Sequence, residues 1–215
     1  MRPVSKNHFF RSLTRLTLWA LARVTVSGIE NVPLTDGVLL AMNHIGDADA
    51  LLALAYAPRP LTIIGKSEIL GWPVLGPLAR AYGMIPVKRG EPDRVTLQKG
   101  IDVLRAGQAL LIAPEGRESP SGTLERAKEG PAFMALHARV PVAPVAITGT
   151  MWQQIFPEWK RLRRPRLTLT FGPPFTFPPN IKRRAAADLM MRHIAVLLPA
   201  DYRGVYADEL LAPSG

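Results

Sequence analysis

One heptapeptide of this chain, Asn43-His44-Ile45-Gly46-Asp47-Ala48-Asp49, holds an imidazole and two carboxylates. It is bounded by two apolar runs, Val38-Leu39-Leu40-Ala41-Met42 before it and Ala50-Leu51-Leu52-Ala53-Leu54 after it. Those groups therefore fall where a buried strand stops and a helix starts, the place where α/β proteins keep their chemistry. A histidine with a carboxylate partner is the least equipment needed to take a proton from a hydroxyl. On one continuous helix the spacing from His44 to Asp49 would point the two side chains about 140° apart. They meet only if His44 is still in the turn and Asp49 is in the first helical turn. Asn43 or Asp47 is then expected to cap the helix, whose positive end favours a carboxylate at Asp49. Asp49 would accept from one ring nitrogen, fix the tautomer and leave the other nitrogen as base. An isolated pair of this kind is more often only a satisfied turn histidine and a helix-start carboxylate. A metal reading is weaker still, because no second histidine lies nearby in sequence.

The rest of the chain narrows what such a base would act on. There is no cysteine, which excludes thiol nucleophiles and disulfides. No Gly-x-Ser-x-Gly elbow exists; Gly65-Lys66-Ser67-Glu68-Ile69 lacks the closing glycine. No phosphate-binding loop of the nucleotide hydrolases is present. A base without a protein nucleophile points to a substrate that brings its own hydroxyl. Lys and Arg outnumber Asp and Glu by 27 to 17, a formal charge of +10, so the partners are polyanions: anionic lipid, a phosphorylated substrate or nucleic acid.

Elements to position these residues follow from periodicity. A helix is expected up to about residue 22, then a strand at Val24 to Ser27. Further strands are expected at Val38 to Met42, Leu61 to Ile64, Met84 to Val87, Ala109 to Ala113, Val142 to Ile147 and Leu167 to Phe171. Helices are expected at Ala48 to Ala57, Val74 to Tyr82, Pro92 to Arg105, Pro131 to Ala138 and Ile181 to Leu198. The alternation predicts a single α/β domain with a mostly parallel or mixed sheet flanked by helices. Three strands would then deliver His44, Lys88-Arg89-Gly90 and Pro114-Glu115-Gly116-Arg117 to one carboxyl edge.

The opening segment mixes Arg11, Arg15 and Arg23 with Phe9, Phe10, Leu13, Leu16, Trp19 and Leu21. It either packs on its own domain or lies in a membrane interface with its bases on lipid headgroups. Its uncharged run is too short to span a bilayer. Arg11 and Arg15 interrupt the apolar core that a cleaved signal needs, so a retained helix is expected. Trp72, Trp152, Phe156 and Trp159 are read as core unless they line an acyl channel or the membrane interface. Lys66 either reaches the same edge or is solvated, and Arg126 and Lys128 either face a phosphate or are solvated; the bases from Lys160 to Arg166 are read as meeting anionic lipid, an acidic carrier protein or CoA phosphates, or as a solvated turn.

Four blocks occur in order. They are His44 with Asp49; Gly83-Met84-Ile85-Pro86-Val87-Lys88-Arg89-Gly90; Pro114-Glu115-Gly116-Arg117-Glu118-Ser119; and Val140-Pro141-Val142-Ala143-Pro144-Val145. With these the chain resembles the glycerolipid acyltransferase family, whose bacterial type acylates 1-acyl-glycerol 3-phosphate. The resemblance implies that His44 is the general base on a glycerol hydroxyl and that Asp49 orients it. It further implies that Lys88, Arg89, Glu115, Gly116 and Arg117 contribute to acceptor binding. No cofactor or metal is implied; acyl-CoA or acyl-carrier protein is the co-substrate, a lysophospholipid the acceptor and phosphatidic acid the product. The expected organisation is a membrane-interface helix over residues 1–23 and an acyltransferase domain over 24–215. The protein would lie at the cytoplasmic face of an anionic membrane, monotopic or peripheral, and nucleic acid is not an expected partner. The blocks also depart from the family pattern: Ala113 replaces a phenylalanine, Arg117 and Glu118 stand where Thr-Arg is usual, and Gly46 replaces a frequent serine. Another acceptor, such as glycerol 3-phosphate, an ornithine lipid or a glycolipid, therefore remains an alternative, as does a basic binder without catalysis.

Overall fold

The fold is a seven-stranded sheet with helices on both faces. The computed structural model describes residues 4–73, 75–87 and 94–208, with side chains from residue 10 onward. Helix α1 (Val4–Leu21) leads into β1 (Arg23–Ser27), and β2 (Val38–Met42) into α2 (Asp49–Tyr56). β3 (Leu61–Lys66), α3 (Leu75–Ala81), β4 (Ile85–Val87), α4 (Arg94–Arg105) and β5 (Ala109–Ile112) follow. Then come α5 (Glu129–Ala138), β6 (Val142–Thr148), α6 (Trp152–Lys160), β7 (Arg166–Phe171) and α7 (Arg183–Leu197). The strand order is β1-β7-β6-β2-β5-β3-β4. Every pairing is parallel except β6 with β7.

β2 takes the central position because both of its faces are apolar. Val38, Leu40 and Met42 pack on one side with Leu52 and Ala53 of α2, Ile155 of α6 and the half-buried Leu18 of α1. Leu39 and Ala41 pack on the other with Leu104 of α4, Met134 of α5 and Met190 and Ile194 of α7. From the carboxyl ends of these neighbouring strands the chain departs in opposite directions. α2 leads from β2 toward β3, and α6 leads from β6 toward β7. A crevice opens at such a divergence, and the expected carboxyl edge forms from β2, β4, β5 and β6.

Two expectations about α1 and the aromatic residues change. Arg11 and Arg15 do not face outward as free charges. The Arg11 guanidinium is buried and donates to Ala57 O, and Arg15 Nε donates to Ala55 O at 2.6 Å. Both arginines thus satisfy carbonyls at the end of α2, where a helix leaves acceptors and negative dipole unpaired. Periodicity reveals an amphipathic helix but not which neighbour claims its cations. Trp72, Trp152, Phe156 and Trp159 are not core. All four are exposed, and the last three lie on one face of α6, a helix absent from the periodicity reading. Pro157 sits inside that helix and masks its signal. Among the described residues no helix is long and apolar enough to cross a membrane.

Candidate active site

β2 ends at Met42, and the next residue, Asn43, does not cap α2 as expected. Its buried amide reaches across to β6, where Nδ2 donates to Ile147 O at 2.9 Å and Oδ1 accepts from Ile147 N at 2.8 Å. Asp47 is exposed, and the cap position, Ala48, makes no side-chain cap bond. Asn43 instead replaces the strand pairing that would have continued, and so fixes where the chain turns out of the sheet.

The turn brings His44 and Asp49 together. His44 Nδ1 lies 2.9 Å from Asp49 Oδ2, with Asp49 the first residue of α2. Asp49 is fully buried. Its Oδ2 also accepts from Ile45 N at 2.7 Å and Gly46 N at 2.9 Å, and its Oδ1 accepts from the Thr150 hydroxyl. Four donors thus converge on the carboxylate, three on Oδ2 and one on Oδ1. With Nδ1 donating to Asp49, Nε2 is left as the acceptor of the neutral ring. The His44 side chain keeps 23% of its surface exposed, so the ring is reachable. Burial alone would lower its pKa. The hydrogen bond to Asp49 and the charges of Asp49, Glu118 and Glu115 outweigh that, and hold it above the ordinary 6.5.

Gly46 is required by this packing. A Cβ there would lie 2.2 Å from Thr150 O, so a side chain would push away the residue that completes the shell of Asp49. Thr150 escaped the sequence reading. It lies just past β6, 101 residues from Asp49, and only the adjacency of β2 and β6 brings it near.

The third block clamps the backbone of His44. Glu115 is buried; its Oε1 accepts from His44 N at 3.2 Å and its Oε2 from Glu125 N at 3.0 Å. Ser119 N donates to His44 O at 2.7 Å. Ser119 itself is held by its hydroxyl bond to Thr123 O. Both peptide groups of His44 are therefore tied to one loop while its ring is tied to Asp49. Glu115 is in this way a backbone tether rather than a group facing an open site. Gly116 adopts φ +73°, the left-handed region suited to glycine, and its N–H closes a turn on Ala113 O at 3.1 Å. That N–H is not open to a phosphate. Arg117 is exposed and makes a two-point pair with Glu125 at 2.8 and 2.9 Å. The Glu125 hydrogen bond raises its pKa. Lys88 and Arg89 lie outside the described residues. Lys66 ends β3 on the same edge and is half-buried, whereas Arg126 and Lys128 are exposed.

A family model described as "Acyltransferase" matches residues 23–148, from β1 to the end of β6. This chain belongs to the acyltransferase family. A 1-acyl-sn-glycerol-3-phosphate acyltransferase of Borreliella burgdorferi is 29% identical over 143 residues, 65% of this chain and 57% of that protein. A lyso-ornithine lipid O-acyltransferase of Pseudomonas aeruginosa is 37% identical over 143 residues, 62% of this chain and 54% of that protein. The chain thus spans about half the length of these curated relatives. The crystal structure of PlsC, the 1-acyl-sn-glycerophosphate acyltransferase of Thermotoga maritima, superposes with a TM-score of 0.75. It covers 100% of this chain and 86% of that one at 21% identity, a likeness of fold. Both blocks that the acyltransferase match shares with the site, at His44 and at Glu115, fall inside the matched span.

Burial pushes the Glu115 carboxyl up to about 7, against the pull of the Glu125 and His44 N–H groups. A carboxyl that holds its proton more tightly when folded favours folding at pH below about 4.5. That gain is lost as pH rises through about 7, a change of roughly 3 kcal/mol. We predict that urea unfolding of wild type shows this falling component between those limits. Glu115→Gln should remove the component, at an overall cost of about 1–3 kcal/mol because one amide position cannot accept an N–H. Parallel pH slopes for the two proteins would contradict it.

Proposed function

We propose that this protein transfers a fatty acyl group from a thioester to the free hydroxyl of a lysolipid, with His44 as the general base. The His44–Asp49 contact at 2.9 Å, with no bond to Nε2 among the described residues, is the observation that carries this reading. The acceptor hydroxyl gives its proton to Nε2 as its oxygen attacks the thioester carbonyl. A C–O bond forms, the C–S bond breaks and the thiolate leaves, taking a proton back from the imidazolium. Asp49 keeps the ring in the tautomer that can accept and offsets the positive charge that develops. No acyl-enzyme is needed, in keeping with a chain that holds no cysteine.

The acceptor is a lysophospholipid, with lysophosphatidate the first choice. The higher identity to a lyso-ornithine lipid acyltransferase favours a second reading. It gains weight from Arg117 being paired with Glu125 and from the Gly116 N–H being spent on Ala113. Lys66, with Lys88 and Arg89 of the second block, is then proposed to meet an acceptor phosphate. Thiol release with each lipid offered to the same enzyme separates the two acceptors.

The setting we propose is peripheral attachment to a membrane. Leu13, Leu16, Trp19 and Leu21 of α1 are exposed, as are Trp152, Phe156 and Trp159 of α6. The two groups are joined: Trp159 Nε1 donates to Leu21 O at 3.0 Å, and Arg164 lies over the Trp19 ring at 5.4 Å. An apolar, aromatic patch edged by arginine suits an anionic interface.

His44→Ala should lower thiol release by about a thousandfold or more with an unchanged circular dichroism spectrum; turnover near wild type would refute the mechanism. Because His44 must be neutral to act and its pKa is raised, the acid limb of kcat/KM should lie above pH 6.5. Asp49→Asn removes the largest of the interactions that raise it, so the residual activity should show that limb at lower pH; a limb that stays in place would count against the pairing. Trp19→Ser with Trp152→Ser should weaken sedimentation with anionic vesicles about tenfold or more while thiol release from a short-chain soluble acceptor is kept, and equal sedimentation would refute the membrane contact.

A further inference from the structure

Along the same sheet edge, past Thr150, lies a second concavity of about 800 Å³. That volume falls within the roughly 300–1,000 Å³ typical of small-molecule sites. Arg23 opens β1, Arg166 opens β7, and Arg163 and Arg164 lie in the turn before it; all four line the cleft. Arg23 and Arg166 are direct partners in the β1–β7 register, a juxtaposition of like charges that costs stability on its own. Among the described residues, the guanidinium groups of Arg23, Arg163 and Arg166 make no hydrogen bond or ion pair. Arg164 is spent on Ala22 O, and Glu158, the acid in the lining, pairs with Arg161 at 3.3 Å. Three planar cations thus line one hollow without an ion pair of their own among the described residues, and their fork geometry matches phosphate oxygens.

We infer that this cleft binds the phosphates of a nucleotide-bearing acyl donor, the 3′-phosphorylated ADP portion of acyl-coenzyme A. The inference rests on the acyl-transfer reading above and adds a donor site to it. Placement supports it. Gly149 lines the cleft, and the next residue, Thr150, donates to Asp49, so phosphates and base share the end of β6. Gly149 has φ +83°, and a Cβ on it would lie 2.1 Å from Arg166 O. The absence of a side chain there lets the first residue of β7 close against the end of β6. A flexible thioester arm running from the cleft along the edge would bring its carbonyl to His44. A bilayer suits the cleft less well. Gln154 and Glu158 of α6 line it, whereas the aromatic face holds Trp152 and Phe156, each two positions earlier and so about 200° away around the helix. A flat surface that meets the aromatic face leaves the hollow behind it unfilled.

The test is the double variant Arg163→Gln, Arg166→Gln, whose side chains hold no other part of the fold. Adenosine 3′,5′-bisphosphate is the probe, measured by calorimetry and as an inhibitor of transfer. The expected result is competition with acyl-CoA but not with the lysolipid. In the variant, probe affinity should fall and KM for acyl-CoA should rise by about tenfold or more, with kcat and the acceptor KM little changed. Unaltered probe affinity and acyl-CoA KM would overturn the inference. So would a loss seen only in binding to anionic vesicles, which assigns the arginines to lipid, or only in KM for an acyl-carrier protein, which assigns them to an acidic protein surface. If wild type transfers no acyl group at all, the functional reading fails, while calorimetry with the probe still decides whether the cleft takes a nucleotide phosphate.

Discussion

A carboxylate shut away from water organises this protein's site. Leaving Asp49 buried without partners would be prohibitive, so the fold surrounds it with donors: two backbone N–H groups from the turn, a hydroxyl from the far end of β6 and the ring of His44. The first two shape the turn, the third couples it to a neighbouring strand and the fourth orients the histidine. One desolvated charge therefore dictates local backbone, strand-to-strand contact and the tautomer of His44. The chain can spare a side chain at Gly46 but not the hydroxyl at position 150.

Around this centre the third block acts as a brace. Sequence resemblance places Glu115, Gly116 and Arg117 on the acceptor, while the packing turns each of them inward or sideways. Glu115 holds the backbone of His44, Gly116 shapes a turn and Arg117 pairs with Glu125. The shift of arginine by one position relative to the usual family order accompanies that pairing. A residue pattern that marks substrate contact can equally mark the scaffold that holds a histidine still, and only the hydrogen bonds tell the two apart.

The parts of the fold legible in the sequence are those governed by neighbours in the chain. Val38 to Met42 appears as a strand because five apolar residues in a row need burial on both faces, and its bounds match. Turn geometry allowed His44 to meet Asp49 but did not require it; the four ordered blocks tipped the reading. What stayed hidden depends on contacts between distant residues. Asn43 looked like a helix cap but serves Ile147, 104 positions away, and nothing near Thr150 announces its role. Whether Arg11 and Arg15 meet headgroups or their own domain depends on α2 ending beside them. α6 was missed because Pro157 falls inside it and argues against a helix, although Trp152, Phe156 and Trp159 keep the helical i, i+4, i+7 period.

The central place of β2 has a dynamic consequence. With three strands on each side, the hydrogen bonds that hold the start of the His44 turn are the last to be reached by fraying from either border. β1, the border strand on one side, can fray while His44 and Asp49 keep their alignment. Mobility and alignment are thereby assigned to different distances from the middle of one sheet, and slow amide exchange should be concentrated where the chemistry is anchored.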